Sequence, residues 1–557
     1  MIVKPDACRL RGCPWAGDMM GFVPDRIPDG ATVLFLMQNP GRNEEEGRRV
    51  IGYEQGHEIT EECVPQPMIG PTGNEWSKTF LPIAGLDTAD VGVANVLRCR
   101  KQLPSGERTN TMPDDNETDA AVAHCATAHW RLPESVKVIV AQGAHAWRFV
   151  GGPQPLDLWR GHTLPPENGS TQAFGPDWVP FAPRPQVLAT VHIADLRHRP
   201  KLNLVTRKDF LKIHDLIEGT WPRPFPNIIN ANTCSYDTLA EWFTKALASP
   251  YIVIDTEYDP KTLDLVLFGI SMAPREEKDQ PCIQYHWFEG ASQGGRRIDF
   301  LYWVRETVRS VPAVFQNVLA DLPVLRRNCN LDWSDFKRIE DTMQAHAVLW
   351  CELPHSFEFM ASVDGKFPKV KHLFRDNMDL YNQGDLLDTG SLWEARLAEF
   401  QRDPLSRKVY DQQMLLLPHL DRAMEVGIAV DTEKVPPAIE KYRARVEAGR
   451  DMAQAYVGWP MNLNSDEQLK VWLYEIEGMP VVKHPETKEI TTNADAVSAM
   501  RNRYMLFDAR DDEENMSAEY IARRVEQGAH PLLEAYVLYA RAEHILGHYL
   551  LPLVEEQ

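Results

Sequence analysis

The sequence predicts an α/β protein with a mainly helical C-terminal region. Three observations carry this. Residues 1–220 alternate short apolar runs with helical patterns, as a parallel sheet requires. Residues 230–395 open with a helix and a strand pair whose first strand ends in two carboxylates. Residues 407–557 carry apolar residues at helical spacing with few strand signals.

In the first block, Ala31–Met37 forms a strand that ends in a Pro-Gly turn, Pro40-Gly41. Val91–Leu97, Val136–Ala141 and Gln186–Val191 are further short strands, and Glu117–Trp130 is a helix between them. Ligands then belong at the strand C-terminal ends. The segment Thr220–Pro226 holds three prolines and reads as an extended linker. In the second block, a helix over 236–248 precedes a hairpin of Tyr251–Asp255 and Leu263–Met272. In the third, Leu415, Leu416, Leu420, Met424 and Val426 share helical spacing, and Pro531–Leu551 is a long helix. Residues 101–118 and 505–518 are polar loops, the second with the acidic run Asp511–Glu514.

The 557 residues have ordinary globular composition and supply ample material for several cores. No run of ~18 apolar residues occurs, which argues against a membrane span. The first ten residues lack the apolar stretch of a secretory signal, so a cytoplasmic location is expected, in a bacterium or a phage-infected cell. A net charge of −21 excludes a uniformly basic nucleic-acid coat, but not an enzyme whose acidic groups hold cations beside a basic groove. Nine cysteines without such a signal point to thiols or metal ligands rather than disulfides.

Asp255 and Glu257 lie two apart on one strand, so both side chains face the same way. Two carboxylates so placed repel unless a cation joins them, and Mg²⁺ or Mn²⁺ suits such oxygens. Asn317 and Asp321 follow the strand Ala313–Phe315, and Tyr381 and Asp385 share a helix face at i, i+4. Asp341 reads as a helix cap, and Asp259 and Asp388 as solvated. Asp-x-Glu, Asn-x₃-Asp and Tyr-x₃-Asp in this order resemble the DEDDy class of 3′–5′ exonucleases. The resemblance implies an RNase H-like α/β domain in which Asp255, Glu257, Asp321 and Asp385 hold two Mg²⁺ or Mn²⁺ ions. It also implies that Tyr381 orients or deprotonates the attacking water and that Asn317 organises the loop around Asp321.

Downstream, Met424–Asp431 and Met461–Leu469 resemble the entry to the polymerase region of family A DNA polymerases. Thr491-Thr492, His530-Pro531, Tyr539, Arg541 and Tyr549–Leu553 continue that resemblance in order. It implies a thumb-like start of the polymerase region, with palm and fingers absent, so polymerisation is not expected of this chain alone. A separate palm and fingers chain is then an expected partner.

Cys8, Cys13, Cys99 and Cys125 are weak evidence for metal by themselves. Met37–Gly41, Pro67–Gly73, Asn95 with Cys99-Arg100, Cys125 and Val191-His192 together resemble the iron–sulfur (family 4) uracil-DNA glycosylases. The resemblance implies a structural [4Fe–4S] cluster on those four cysteines and a DNA base pocket. Asn39 would position the attacking water and His192 would stabilise the anion that develops on the base. Asn95 would bond the uracil edge. Gln38 stands where that family has an acid, and Met68 where it has a stacking ring, so a uracil reader or an inactive DNA-binding platform remain open. Trp15 and Trp159 are candidate groove residues. Basic clusters near His192, Cys99 and Tyr381 are candidate phosphate contacts.

The expected domains are 1–220 (glycosylase-like, with the cluster), 221–231 (linker), 232–400 (exonuclease) and 401–557 (thumb-like). Expected DNA partners are single-stranded 3′ ends, primer-template and uracil-containing DNA. A non-catalytic single-strand-binding module and an RNA-trimming nuclease are the alternatives.

Overall fold

The computed structural model describes residues 2–10, 12–15, 20–103, 105–110, 112, 116–164, 185–274, 281–288, 294–483, 490–492, 496–497, 500 and 517–555. The acidic run 511–514 lies outside them. The chain forms two compact units, Met1–Glu425 and Val426–Gln557. No helix among the described residues is long and apolar enough to cross a membrane.

The first unit holds two principal sheets. In chain order its main strands are β1 (Val33–Met37), β2 (Arg48–Glu54), β3 (His57–Glu62), β4 (Val91–Asn95), β5 (Val138–Gln142), β6 (Gln186–Thr190), β7 (Ile228–Asn230), β8 (Ile252–Tyr258), β9 (Leu265–Met272), β10 (Cys282–His286), β11 (Ala313–Phe315) and β12 (Ile339–Asp341). The N-terminal sheet is parallel throughout, in the order β6-β5-β1-β4. Every residue of β1, β4 and β5 is buried, as expected of parallel strands covered on both faces. One face carries Leu34, Leu36, Ile139 and Ala141. The other carries Phe35, Met37, Val93 and Val140 against Phe210 of helix Leu202–Glu218.

The second sheet runs β7-β10-β9-β8-β11-β12 and is mixed. β8, β9 and β10 pair antiparallel, whereas β8, β11 and β12 pair in parallel. Helix Met378–Arg402 lies across it, with Leu386, Leu387 and Trp393 packed on Val253 and Val314. Helix Pro404–Met414 belongs to this unit: buried Tyr410 donates to Glu340 Oε2 (2.8 Å) and accepts from Asp341 N (2.8 Å).

The structure bears on three sequence readings, and corrects the one made for Trp15 and Trp159. The proline-rich linker is anchored, with Trp221 buried and its Nε1 donating to Gly365 O (3.1 Å). Trp15 and Trp159 are core residues, 6% and 5% exposed. Leu415, Leu416, Leu420 and Met424 are exposed although helically spaced; the buried residues of helix Leu417–Val426 are Leu417 and Asp421.

A buried polar network ties the N-terminal sheet to the second. Asp209 accepts from Arg160 (2.7 Å) and Thr190 (2.8 Å). Arg160 also donates to Ser362 Oγ, and Lys212 Nζ donates to Gly161 O and Ser362 O, both at 2.8 Å. Removing one partner leaves a dry, unpaired charge. Asp209→Ala is expected to destabilise the first unit by about 3–5 kcal/mol, read as a lower denaturant midpoint.

In the second unit, helices Val435–Val457 and Pro531–Ile545 form the core, with Ile439, Val446, Leu532 and Leu538 buried. Arg524 binds Glu534 with two hydrogen bonds, at 3.0 and 2.9 Å.

Candidate active site

β8 brings the first carboxylates together. Asp255 and Glu257 point to the face covered by helix Met378–Arg402, which supplies Tyr381 and Asp385. Ligand oxygens of Asp255, Glu257 and Asp385 all lie within 4.8 Å of one another. Asp321 sits beside this trio from helix Val318–Cys329. Its Oδ1 accepts from the Thr256 amide (3.1 Å) and hydroxyl (2.6 Å).

Three supporting residues escaped the sequence reading. Asn382 Nδ2 donates to Asp255 Oδ2 (2.7 Å) and reaches Glu257 Oε1 (3.5 Å). Gln284 Nε2 donates to Asn382 Oδ1 (3.0 Å), which fixes the amide with its NH₂ toward the carboxylates. Gly269, opposite Asp255 on β9, makes room: a Cβ there would lie 2.0 Å from Asn382 Oδ1. Lys371, first read only as one of a basic cluster, donates to Tyr381 Oη and Asp385 Oδ2, each at 2.6 Å. The only signal for Asn382 was its place beside Tyr381; Gln284 had none, lying in an apolar strand.

Asn317 takes a left-handed turn (φ 65°) at the start of the helix that carries Asp321. Asp341 caps helix Thr342–Leu349, accepting from Gln344 N (2.9 Å). Asp388 corrects the sequence reading. It is buried, not solvated, accepts from Lys366 N (2.9 Å) and Phe367 N (3.2 Å), and burial pushes its carboxyl up to about 7.

Burial raises all three of the trio, and like charge adds to it at Asp255 and Glu257. Asp255 is raised well above the ordinary carboxylate range by desolvation and by Glu257 and Asp385. Glu257 is pushed up to about 7 by burial and Asp385, and Asp385 to about 6 by burial against the pull of Lys371. Burial and Asp385 push the Tyr381 phenol up to about 12, so it is a neutral O–H donor at physiological pH. An all-oxygen, mutually repelling donor set fits hard divalent cations of the Mg²⁺ or Mn²⁺ kind. Raised native pKa values mean the folded state holds extra protons between about pH 4 and 7. Without a divalent cation, these groups therefore favour folding at low pH, and that contribution is lost as pH rises to about 7. Mg²⁺ binds the deprotonated form, so its gain in Tm is expected to be larger at pH 8 than at pH 5. Equal gains at the two pH values would contradict this.

The N-terminal sheet gathers a second set of residues. Asn95, Met37, Gln142 and Thr190 form one row across the C-terminal ends of β4, β1, β5 and β6. Asn95 Nδ2 and both amide atoms of Gln142 are buried without a partner, as is Asn39 Oδ1. Asn39 Nδ2 reaches Pro40 O and Asn110 O at 3.3 Å, which leaves its oxygen as the open acceptor. His192 Nδ1 accepts from Ala194 N (3.2 Å), and burial lowers its pKa. Its single proton therefore sits on Nε2, where the neutral ring is a donor. The Glu44 carboxylate accepts from Gly41 N (2.8 Å) and Met68 N (2.6 Å), tying the loop that carries Gln38 and Asn39 to that of Met68. Met68 adopts φ 58° and packs into the core with Trp76 and Met37. Gly73 permits this, since a Cβ there would lie 1.9 Å from Met68 O. Gln142 was missed. Its signal was a polar residue that ends an apolar run before a glycine.

Cys8, Cys13, Cys99 and Cys125 are free thiols, and the pKa values of Cys8, Cys13 and Cys99 are raised, by burial first and then by the neighbouring cysteines. Burial is the larger cause and pushes Cys8 up to about 11 and Cys99 to about 12. Arg98 donates to Cys125 Sγ (3.6 Å), and His129 Nε2 meets Cys8 Sγ at 3.0 Å. Four neighbouring thiols, of which Cys8 and Cys125 are buried and Cys13 and Cys99 half-buried, beside the cations Arg98 and Lys4 fit a four-thiolate iron–sulfur group.

Residues 24–213 match the family model of the uracil DNA glycosylase superfamily. Over 219 residues the chain is 22% identical to the type-4 uracil-DNA glycosylase of Sulfurisphaera tokodaii, covering 38% of this chain and 83% of that protein. Over 118 residues it is 27% identical to DNA polymerase I of Bacillus subtilis, covering 21% of this chain and 13% of that protein. Among solved structures, the POL domain of Pol1 from M. smegmatis, in complex with DNA primer-template and dNTP, aligns with a TM-score of 0.36 at 14% identity. That alignment covers 56% of this chain and 48% of the other. The chain thus carries an N-terminal domain similar to the uracil DNA glycosylase superfamily, and in part resembles DNA polymerase I. It spans a small share of the polymerase's length.

Proposed function

We propose that this chain is a metal-dependent 3′–5′ DNA exonuclease of the proofreading kind, joined to an N-terminal domain that recognises uracil in DNA. The domains are 1–220, 221–231, 232–400 and 401–557, and the last works with the palm and fingers of a family A polymerase. The chain acts in a bacterial or phage-infected cytoplasm. The observation that supports the nuclease reading best is the approach of Asp255, Glu257 and Asp385 oxygens to within 4.8 Å.

Asp255, Glu257, Asp321 and Asp385 would hold the two Mg²⁺ or Mn²⁺ ions, which when bound would activate the attacking water and stabilise charge on the leaving 3′-oxygen. Asn382 orients Asp255. Lys371 holds the Tyr381 hydroxyl and Asp385 together, and Tyr381, neutral, orients the attacking water rather than taking its proton. In the N-terminal domain, Cys8, Cys13, Cys99 and Cys125 would bind a [4Fe–4S] cluster, which ties the N-terminus to the loops after β4. Asn95 and Gln142 offer unpaired amides to a base edge. Asn39 Oδ1 is placed to accept from a water, and His192 Nε2–H to donate to negative charge on the base.

The test is digestion of a 5′-labelled single strand. Mg²⁺ is expected to give stepwise shortening from the 3′ end, and EDTA to stop it. A preference for RNA over DNA 3′ ends would favour an RNA-trimming nuclease. A second reading, in which the N-terminal domain reads uracil without excising it, is favoured by Met68, whose side chain packs into the core where the resembled family stacks a ring.

A further inference from the structure

The hairpin of β2 and β3 lies between the loop of Asn39 and that of Met68 in the chain. Gln55 (φ 51°) and Gly56 (φ 84°) form its two-residue turn, which matches the natural strand twist. Its base is fixed. Val50 N donates to Ile69 O (2.8 Å) and Lys78 Nζ to Ile51 O (2.9 Å) there, and nearer the tip Asn43 Nδ2 donates to Glu58 Oε2 (2.8 Å), opposite Tyr53. Near the tip, Tyr53 is 51% exposed.

Tyr53 faces an open cavity of about 580 Å³ that also takes in Asn74, Lys78, Thr79 and Arg197, with Glu58 and Glu75 among the remaining lining. Arg197 is exposed, and among the described residues its side chain has no ion-pair or hydrogen-bond partner. It ends the short helix that follows His192, whereas Asn74 and Lys78 follow the Met68 loop. A neighbouring cavity of about 430 Å³, lined in part by Met68 and Trp76, shares Asn74 and Lys78. The space is large enough for a nucleotide and lies between both segments assigned to base recognition.

We infer that the hairpin is a finger for single-stranded DNA: Tyr53 stacks on a base beside the one being read, and Arg197 and Lys78 hold the flanking phosphates. A π-face, a fork of unpaired N–H donors and a point charge around one concave space are what a sequence-tolerant strand contact needs. The inference rests on the reading that the N-terminal domain binds DNA, and it deepens that reading by naming the strand contact.

The test uses the full chain in EDTA with a labelled circular single-stranded oligonucleotide, which offers no 3′ end to the exonuclease site. Circles with one uracil and with thymine only are compared by anisotropy. Tyr53→Ala is expected to weaken both about tenfold, and Tyr53→Phe to restore them, because stacking needs the ring. Arg197→Ala is expected to weaken both and to flatten the dependence of log K on log salt by roughly 0.7. Wild-type affinity in Tyr53→Ala overturns the finger while leaving uracil recognition standing. Loss confined to the uracil circle places Tyr53 in the base pocket and overturns the strand contact. No binding of either circle by the wild type overturns both readings.

Discussion

Asp255→Ala is expected to lower the 3′–5′ exonuclease rate by roughly three orders of magnitude, about 4 kcal/mol of barrier. Asp255 lies within 4.8 Å of both other carboxylates and is the one Asn382 holds most closely, at 2.7 Å. Without it, Glu257 and Asp385 remain as separate, weaker oxygen donors. The same substitution removes a buried group that repels two neighbours, so Tm in EDTA is expected to hold or rise. Asp255→Asn keeps the shape and loses the charge, and is expected to match the alanine variant in rate. A rate that survives with the fold intact would show that the cleavage lies elsewhere.

Cys99→Ser carries the second large effect. Cys99 follows β4, Cys125 sits on helix Asn116–His129, and Cys8 and Cys13 come from the N-terminal segment. Four neighbouring thiols that repel when ionised are a poor arrangement unless iron neutralises them. The variant is expected to lose its iron and visible absorption, and the N-terminal domain to lose roughly 10 °C in Tm. Uracil recognition is expected to fall with it, while the exonuclease rate in Mg²⁺ stays within about twofold, since no trio residue touches the cysteines. Full iron content in Cys99→Ser would remove it from the ligand set.

How much of this was legible in the sequence follows from where the information resides. β1 is an unbroken apolar run and β4 and β5 are apolar up to their last residues, Asn95 and Gln142, because parallel strands are covered on both faces, and such runs are visible without a partner. Asp255, Glu257, Tyr381 and Asp385 were legible because their spacings match strand and helix periods. Asn382 and Gln284 were not, since their roles come from one helix crossing one sheet at Gly269, where Asn382 meets Gln284 and Asp255, 98 and 127 residues away in the chain. Asp388 was misread for a similar reason. Its partners are the backbone N–H groups of Lys366 and Phe367, and a backbone donor leaves no trace in residue type. Trp15 and Trp159 were misplaced because an indole suits a groove and a core equally well. The exposed Leu415, Leu416, Leu420 and Met424 show the converse, that helical spacing alone does not say which face is covered.

The central claim is that one chain carries two separable DNA activities, one needing divalent cations and one not. The direct measurement incubates iron-replete protein with a 5′-labelled single strand bearing one uracil, in Mg²⁺ and in EDTA, and resolves products before and after alkali. Shortening from the 3′ end in Mg²⁺ only, with uracil-dependent retention of the strand or alkali-labile cleavage at the uracil persisting in EDTA, is the predicted result. Alkali-labile cleavage would make Asn39 and His192 catalytic, and retention alone would make the domain a reader. Shortening that continues in EDTA, or no distinction between uracil and thymine in EDTA, would contradict the account.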